Sequence, residues 1–367
     1  FQLDGVVVCG GADPEIRGNR IHSCRACGVL IRDGGLGKVL DNEIRESGIA
    51  GVAARGSGSA PTVKGNRICE GQGKGIDVHD AAAGRFEGNE VSGNAMDGVV
   101  VKAHADPELV GNRIFGNRGN GMYIFEEGMG QVEGNDIHDN ESSGVVIRSR
   151  ARPTLRRNKI HHGSKTGVHV YMDGMGVLEG NFIYENKMDG ISVKSGGNPT
   201  VTGNVIRDGR GKGIFVHDKG RGVFESNDVA CNASVGVAIA SGADPTLRRN
   251  KITGNLGHGV SVDQAAGLLE ENAVHGNAGD GIHVRNRATP EVVSNDVAGS
   301  DGHGIMICRE ATGCFERNQV HGNRKDGITV RTQANPKVEG NLVHSNGGQP
   351  INVCDGGLGS LAANEAS

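Results

Sequence analysis

Apolar side chains return along this chain at fixed phases of a 23-residue step. Measured from Asn19, Asn42, Asn66 and their successors, an apolar residue lies two positions on: Ile21, Ile44, Ile68, Val91, Ile114 and onward to Val343. Another lies three positions before: Ile16, Val39, Val63, Phe86, Leu109 and onward to Leu361. Pairs lie ten and twelve positions after, as in Val29/Ile31, Ile76/Val78, Ile214/Val216 and Ile328/Val330. A spacing of two is the period of a strand whose alternate residues face one side. Ile and Val dominate these positions, as strands prefer. No segment carries the i, i+3, i+4, i+7 spacing of an amphipathic helix. Each step therefore predicts three short strands joined by turns.

The Asn residues recur at 19, 42, 66, 89, 112, 135, 158, 181, 204, 227, 250, 272, 295, 318, 341 and 364, with one interval of 24 and one of 22. Gly lies nine positions after each from Gly28 to Gly327, and Pro350 takes that place after Asn341. One such unit cannot bury its own apolar face, whereas stacked units share a continuous interior. The pattern predicts an all-β fold: a single right-handed parallel β-helix of about sixteen coils over 1–367. At ~4.8 Å per rung the coils would form a rod of roughly 70 Å. A leucine-rich repeat has a similar period, but its L-x-x-L-x-L spacing is absent and the Gly-rich connections would make poor helices.

Asn suits a repeated corner because it tolerates the left-handed backbone and because its amide both donates and accepts. A second Asn column sits five positions on, including Asn94, Asn117, Asn140, Asn186, Asn232 and Asn255. Five residues before each Asn, Pro (14, 61, 107, 153, 199, 245, 290, 336) alternates with Gly (37, 84, 130, 176, 222, 267, 313, 359). The full repeat is thus a two-coil pair of about 46 residues.

Composition narrows the function classes. Glycine contributes 63 of 367 residues without a period of three, which excludes collagen. No apolar run approaches the ~20 residues of a membrane-spanning helix. The net charge of −4 gives no global field for nucleic acid. The eight Cys show no disulfide-framework spacing, which predicts a reducing, intracellular setting in cytoplasm or nucleus. The sequence starts at Phe1 without a Met or a visible targeting signal, as expected of a segment of a longer protein.

Coils such as GVHVYMDGMGVLEGNFIYEN (167–186) and GIFVHDKGRGVFESNDVACN (213–232) alternate with GISVKSGGNPTVTGNVI (190–206) and GVAIASGADPTLRRNKI (236–252). Nearly the whole chain resembles the β-helix (CASH-type) repeats of F-box-only proteins of the F-box-only protein 11 type. Similar repeats occur in polysaccharide lyases and alginate epimerases. The F-box resemblance implies a substrate-recruiting arm of a cullin-type ubiquitin ligase. No F-box precedes the repeat in this sequence and no zinc-finger region follows it, so that role would need parts beyond this chain.

With the interior apolar, function must lie on outward positions, eleven and thirteen after each Asn. Position thirteen carries Arg55, Lys102, Arg148, Lys194, Arg285 and Arg331 on alternate coils, with Ala240 the exception, and His79, Phe125, Tyr171 and His217 between them. Position eleven adds Tyr123, His169 and Phe215. Together they predict an aromatic–basic partner-binding patch: Tyr123, Phe125, Arg148, His169, Tyr171, Lys194, Phe215 and His217. Aromatic and Arg side chains are what interface hot spots use. The same residues also satisfy the bland preference of outward strand positions for β-formers and long charged side chains. A protein or peptide partner, such as an acidic or phosphorylated segment, fits this stripe. Flanking acids such as Asp80, Glu126, Glu127, Asp173 and Asp218 interrupt it for nucleic acid.

Carbohydrate chemistry needs paired carboxylates, or a Ca²⁺ cluster beside a base. Asp77 falls between Ala53 and Val100 in the rung direction. Asp263 near His283 and Arg285 is the best acid–base grouping, with one carboxylate. The residues Cys24-x-x-Cys27 with His22 lack a second pair at zinc-finger spacing. His138, His161, His275, His321 and His344 share position three and are expected at the solvent face. No catalytic residue, metal or cofactor is assigned on this reading, and no membrane contact is expected. A non-enzymatic protein-recognition scaffold leads, with a polysaccharide lyase or epimerase and a structural spacer as alternatives.

Overall fold

The computed structural model describes residues 3–367. Every turn of the chain contributes three strands. One turn holds β13 (Val99–Val101), β14 (Glu108–Val110) and β15 (Arg113–Phe115), and the next holds β16 (Met122–Ile124), β17 (Gln131–Glu133) and β18 (Asp136–His138). They pair in parallel one turn apart: Val99 opposite Met122, Leu109 opposite Val132 and Ile114 opposite Ile137. The first, second and third strands of the turns form three parallel sheets, A, B and C. The chain divides into two compact units, one ending at Lys187 and one spanning Met188–Ser367, each of eight turns. There is no helix among the described residues.

The interior follows from the apolar phases. Val99, Val101, Leu109, Ile114, Ile137 and their counterparts are fully buried. Phe86, Phe224 and Phe315 fill the same place on sheet B in three of the turns with Gly five residues before the Asn. Asp77 lies opposite Ala53 and Val100, as its spacing predicts.

The buried polar residues are mostly asparagines, and most of them bond to a copy on the next turn. Asn112 donates both its backbone N–H and its side-chain amide to Asn135 Oδ1, at 2.8 and 2.9 Å. Asn135 does the same to Asn158 at 2.9 and 3.0 Å. The second amide hydrogen caps a carbonyl of the preceding turn, Phe86 for Asn112 and Leu109 for Asn135. The column five positions on forms an equivalent ladder through Asn94, Asn117 and Asn140. In the second unit Asn227, Asn250 and Asn272 continue the pattern. Thus no lone pair or N–H of these buried amides is wasted, which is what burial of a polar group requires.

One expectation is corrected. The left-handed corner is not at the ladder Asn but at the residue before it: Gly111 (φ 62°), Gly134 (φ 64°), Arg157 (φ 51°), Ser226 (φ 55°), Arg249 (φ 53°). The Asn instead needs its N–H and side chain aligned toward the next copy. The positive φ one residue earlier turns the chain into that alignment.

The glycine nine positions after Asn has a different cause. A Cβ on Gly121 would lie 2.6 Å from the Gly144 carbonyl oxygen and against Ile137 Cγ2. The backbone here runs too close to the next turn for any side chain. Gly84 (φ 118°) and Gly130 (φ 127°) meet the carbonyls of Pro61 and Pro107 on the preceding turn, at 2.7 and 3.0 Å from an added Cβ.

Two outcomes are expected in urea unfolding. Asn135→Ala strands the two donors of Asn112 and frees the Leu109 carbonyl, and it should cost about 3 kcal/mol. Gly121→Ala overpacks against backbone and should cost about 2 to 3 kcal/mol, against about 1 kcal/mol for Gly111→Ala, where an added Cβ meets open space. Equal costs for the two glycine variants would refute the close-approach explanation.

Candidate functional site

The outer face of sheet A carries the chemistry of both units. In the first unit, β19 (Val145–Arg148) lies between β16 and β22 (Val168–Tyr171). Register sets Tyr123, Val146 and His169 in one column and Arg148 opposite Tyr171. Tyr123 and Phe125 stack at 4.4 Å between ring centroids, and His169 tilts on Tyr171 at 4.6 Å. The Arg148 guanidinium sits 5.2 Å from the Tyr123 ring, 5.5 Å from Phe125 and 5.9 Å from Tyr171. Lys102 lies 5.7 Å over Phe125. Five residues of the predicted patch thus lie together in one constellation. They are half-buried rather than exposed, because the rings cover one another.

Arg148 is electrostatically unusual. Its Nη1 reaches only Met172 Sδ, at 3.7 Å, and its Nε is buried without a hydrogen-bond partner. No carboxylate among the described residues pairs with it, since the nearby Glu127 is taken by Arg150 (2.6 Å) and His104 (3.3 Å). Burial pushes the Tyr123 phenol up to about 12, and the neighbouring Tyr171 adds to the shift. That phenol keeps its proton at neutral pH.

The other predicted patch residues, Lys194, Phe215 and His217, belong to the second unit. Phe215 stacks on His217 at 4.1 Å, and Lys212 Nζ sits 4.1 Å over the Phe215 ring. His217 Nδ1 contacts Asp218 at 2.9 Å, and its Nε2 lies 3.5 Å from Ser192 Oγ. Lys194 follows β25 (Ile191–Val193).

Further along the second unit is a titratable cluster that sequence reasoning reached only in part. Asp263 pairs with Arg285 at 2.9 Å, as the rung direction predicts. His283, on β37 (Ile282–Arg285), places Nδ1 2.7 Å from Asp280 Oδ2, while its Nε2 lies 3.8 Å from Cys308 Sγ. Asp280 Oδ1 accepts the His303 backbone N–H at 2.8 Å, and its own N–H donates to His258 Nδ1 at 2.9 Å. Burial pulls His283 down, yet its bonds to Asp280 and Cys308 outweigh that and raise it to about 9. Burial lowers His258, and the His283 charge 4.4 Å away adds to it. Burial opposes ionisation of Asp280, but its bonds from His283 and the His303 N–H leave it lowered. Asp280 and His258 were missed because they sit eight positions after Asn, at the entry to the strand rather than on it. An acid or His recurring at that phase (Asp97, Asp189, His258, Asp280, His303, Asp326) was the available signal.

Three donor atoms of His258, Asp280 and His283 lie within 4.8 Å of one another. Their lone pairs are already engaged: His258 Nδ1 by a backbone N–H, and Asp280 by His283 and His303. Of the position-three histidines, His275 and His321 keep 40% and 36% of their side chains open, as expected, whereas His138 and His161 keep only 13% and 14%. Phe115, His138, His161 and Tyr184 stack in one column on sheet C at 5.0, 5.0 and 4.5 Å. Burial covers these rings because each packs on its copy.

The fold has relatives among solved structures. The periplasmic alginate epimerase AlgG superposes with a TM-score of 0.50 at 13% identity, over 92% of this chain and 76% of that one. The Azotobacter vinelandii mannuronan C-5 epimerase AlgE4 A-module gives a TM-score of 0.48 at 15% identity, covering 90% of each chain. The catalytic unit of a GH87 alpha-1,3-glucanase from Streptomyces thermodiastaticus gives 0.42 at 15% identity, over 91% of this chain and 64% of that one. No curated protein sequence matches the chain significantly. The expected intracellular setting is corrected, since the epimerase AlgG that superposes on the chain is periplasmic. Eight free thiols do not by themselves fix a compartment. Disulfides are needed where a small domain lacks a core, and stacked turns supply one without them. The β-helix part of the sequence resemblance is supported, and the comparisons do not extend it to F-box-only proteins. Profiles of the right handed beta helix region match residues 1–114, 97–252 and 235–366, and the chain belongs to that family.

Proposed function

We propose that this protein is a carbohydrate-active β-helix of an extracytoplasmic compartment, and that the outer face of sheet A in its first unit takes an anionic polysaccharide of the uronate class. The observation that carries this reading is Arg148, a half-buried guanidinium ringed by Tyr123, Phe125 and Tyr171 and left without a carboxylate. A buried cation without a partner is costly, and a ligand carboxylate recovers that cost through charge-assisted bonds. Aromatic faces beside it suit the apolar face of a sugar ring. The fold likeness to alginate epimerases favours a uronan over an acidic peptide as the anion.

The same constellation holds the groups that chemistry on a uronate requires. Removal of the proton alpha to the carboxylate is eased when a cation neutralises that carboxylate, which Arg148 would do. His169 would accept the proton, and Tyr123, still protonated at neutral pH, would return one to the sugar or to the leaving oxygen. Epimerisation and β-elimination share this first step. The scaffold reading, a receptor arm for protein substrates, gains no support from the relatives of the fold.

Affinity electrophoresis in gels containing alginate, polygalacturonate or a neutral α-glucan tests the proposal. Retardation is expected in the two uronan gels only, and Arg148→Ala should weaken it about tenfold or more with an unchanged melting temperature. Equal retardation in the neutral gel, or an affinity for phosphorylated peptide that uronan does not compete, would overturn the reading. His169→Ala should abolish any formation of unsaturated uronate or C5 solvent-proton exchange while retaining gel retardation.

A further inference from the structure

We infer that Cys308, His283 and Asp280 form a nucleophilic relay on the outer face of sheet A in the second unit, with Cys308 reacting with small electrophiles of the hydroperoxide class. The inference does not rest on uronan binding, which is assigned to residues of the other unit.

The geometry carries it. The Asp280 carboxylate is fixed at both ends, by the His303 N–H on Oδ1 (2.8 Å) and by His283 Nδ1 on Oδ2 (2.7 Å). Its backbone is fixed as well, through the bond to His258 Nδ1. A carboxylate held this way keeps the proton of His283 on Nδ1 and turns Nε2 toward Cys308 Sγ, 3.8 Å away. Nucleophile, base and orienting acid thus stand in the order that activates a thiol, at the looser separation usual before a substrate is bound.

The surroundings favour the same chemistry. His283 lies opposite Met306, and Met306 opposite Thr329. Two residues on, Arg285, Cys308 and Arg331 follow at the same phase of successive turns, with the Arg285 guanidinium directed to Asp263 on the turn before. Arg285 shares its charge with Asp263, and Arg331 has no ion pair among the described residues. The remaining charged groups nearby are His258, beside Asp280 at 3.4 Å, and His303, held by Thr329 and Asp326 at 3.0 and 3.5 Å. Cationic neighbours and an imidazole make a cysteine reactive, whereas apolar burial makes it inert.

In the reaction His283, as the imidazolium, already holds the thiol proton on Nε2, and the sulfur beside it attacks one peroxide oxygen. The S–O bond forms, the O–O bond breaks, and the departing hydroxide takes the proton from His283 to leave as water. Sulfur is oxidised to the sulfenic acid by two electrons, and the peroxide is reduced by the same two. Cys308 is only 4% exposed, which restricts the site to small, uncharged reagents.

Alkylation of the intact protein by iodoacetamide, mapped by peptide mass spectrometry between pH 6 and pH 8, tests the relay. The exposed Cys231 serves as the internal reference. An ordinary thiol gains about tenfold in rate per pH unit in this range, hence about a hundredfold in all. Cys308 is expected to gain less than about threefold, and His283→Gln should restore the steep rise. Hydrogen peroxide should give a sulfenic acid at Cys308 in the unmodified protein and not in that variant. Parallel pH profiles for Cys308 and Cys231, or no labelling of Cys308 in the folded protein, would overturn the inference; both are read on the unmodified chain and need no variant to fold.

Discussion

A buried carboxamide that bonds to its own copy one turn away is the interaction on which the structure depends. Asn112, Asn135 and Asn158 each present two donors to the next Oδ1 and cap a carbonyl of the previous turn. The ladder makes every turn specify its neighbour. It fixes the register of the sheets, because a slip of one residue would break the Asn bonds and turn the apolar columns outward at once. Position on the outer face is therefore a consequence of position in the step, which is why chemistry can be placed by counting.

Counting found the inward columns and the opposition of Asp77 to Ala53 and Val100, since those follow from one period and one strand phase. It also set Tyr123, Phe125, Arg148, His169 and Tyr171 on one outer face, where their side chains meet. It failed where the backbone leaves the regular phase. The left-handed corner falls on Gly, Asp, Ser, Arg, Glu or Ala in different turns, so residue type carried no signal and Asn, the constant neighbour, took the credit. Asp280 and His258 lie at a strand entry, and their inward tilt toward His283 depends on backbone bonds to His303 and from Asp280 that no periodicity reveals.

The outer faces differ in how they settle charge. On sheet B, opposite charges meet between turns: Arg156 with Glu179 at 2.8 Å and Arg248 with Glu270 at 2.7 Å. Such exposed pairs contribute little to stability, but they leave the surface neutral. Sheet A departs from this at Arg148, where aromatic rings take the places that acids would occupy. In the second unit the departure has another form, a carboxylate spent on orienting a histidine beside a thiol. Each unit thus concentrates its unsettled polarity on the first strands of its own turns.

The alternation of Pro and Gly carries a consequence for how such a chain can change length. Gly84 and Gly130 hold φ angles of 118° and 127°, which proline cannot adopt, and each rests on the proline carbonyl of the turn before. A single duplicated turn would set like upon like, proline on proline or glycine on glycine, and so remove the glycine–proline contact at that junction. Growth or trimming by pairs leaves every junction unchanged. The molecule is in this respect an object with parity: lengthening it by even numbers of turns is structurally silent, and by odd numbers it is not.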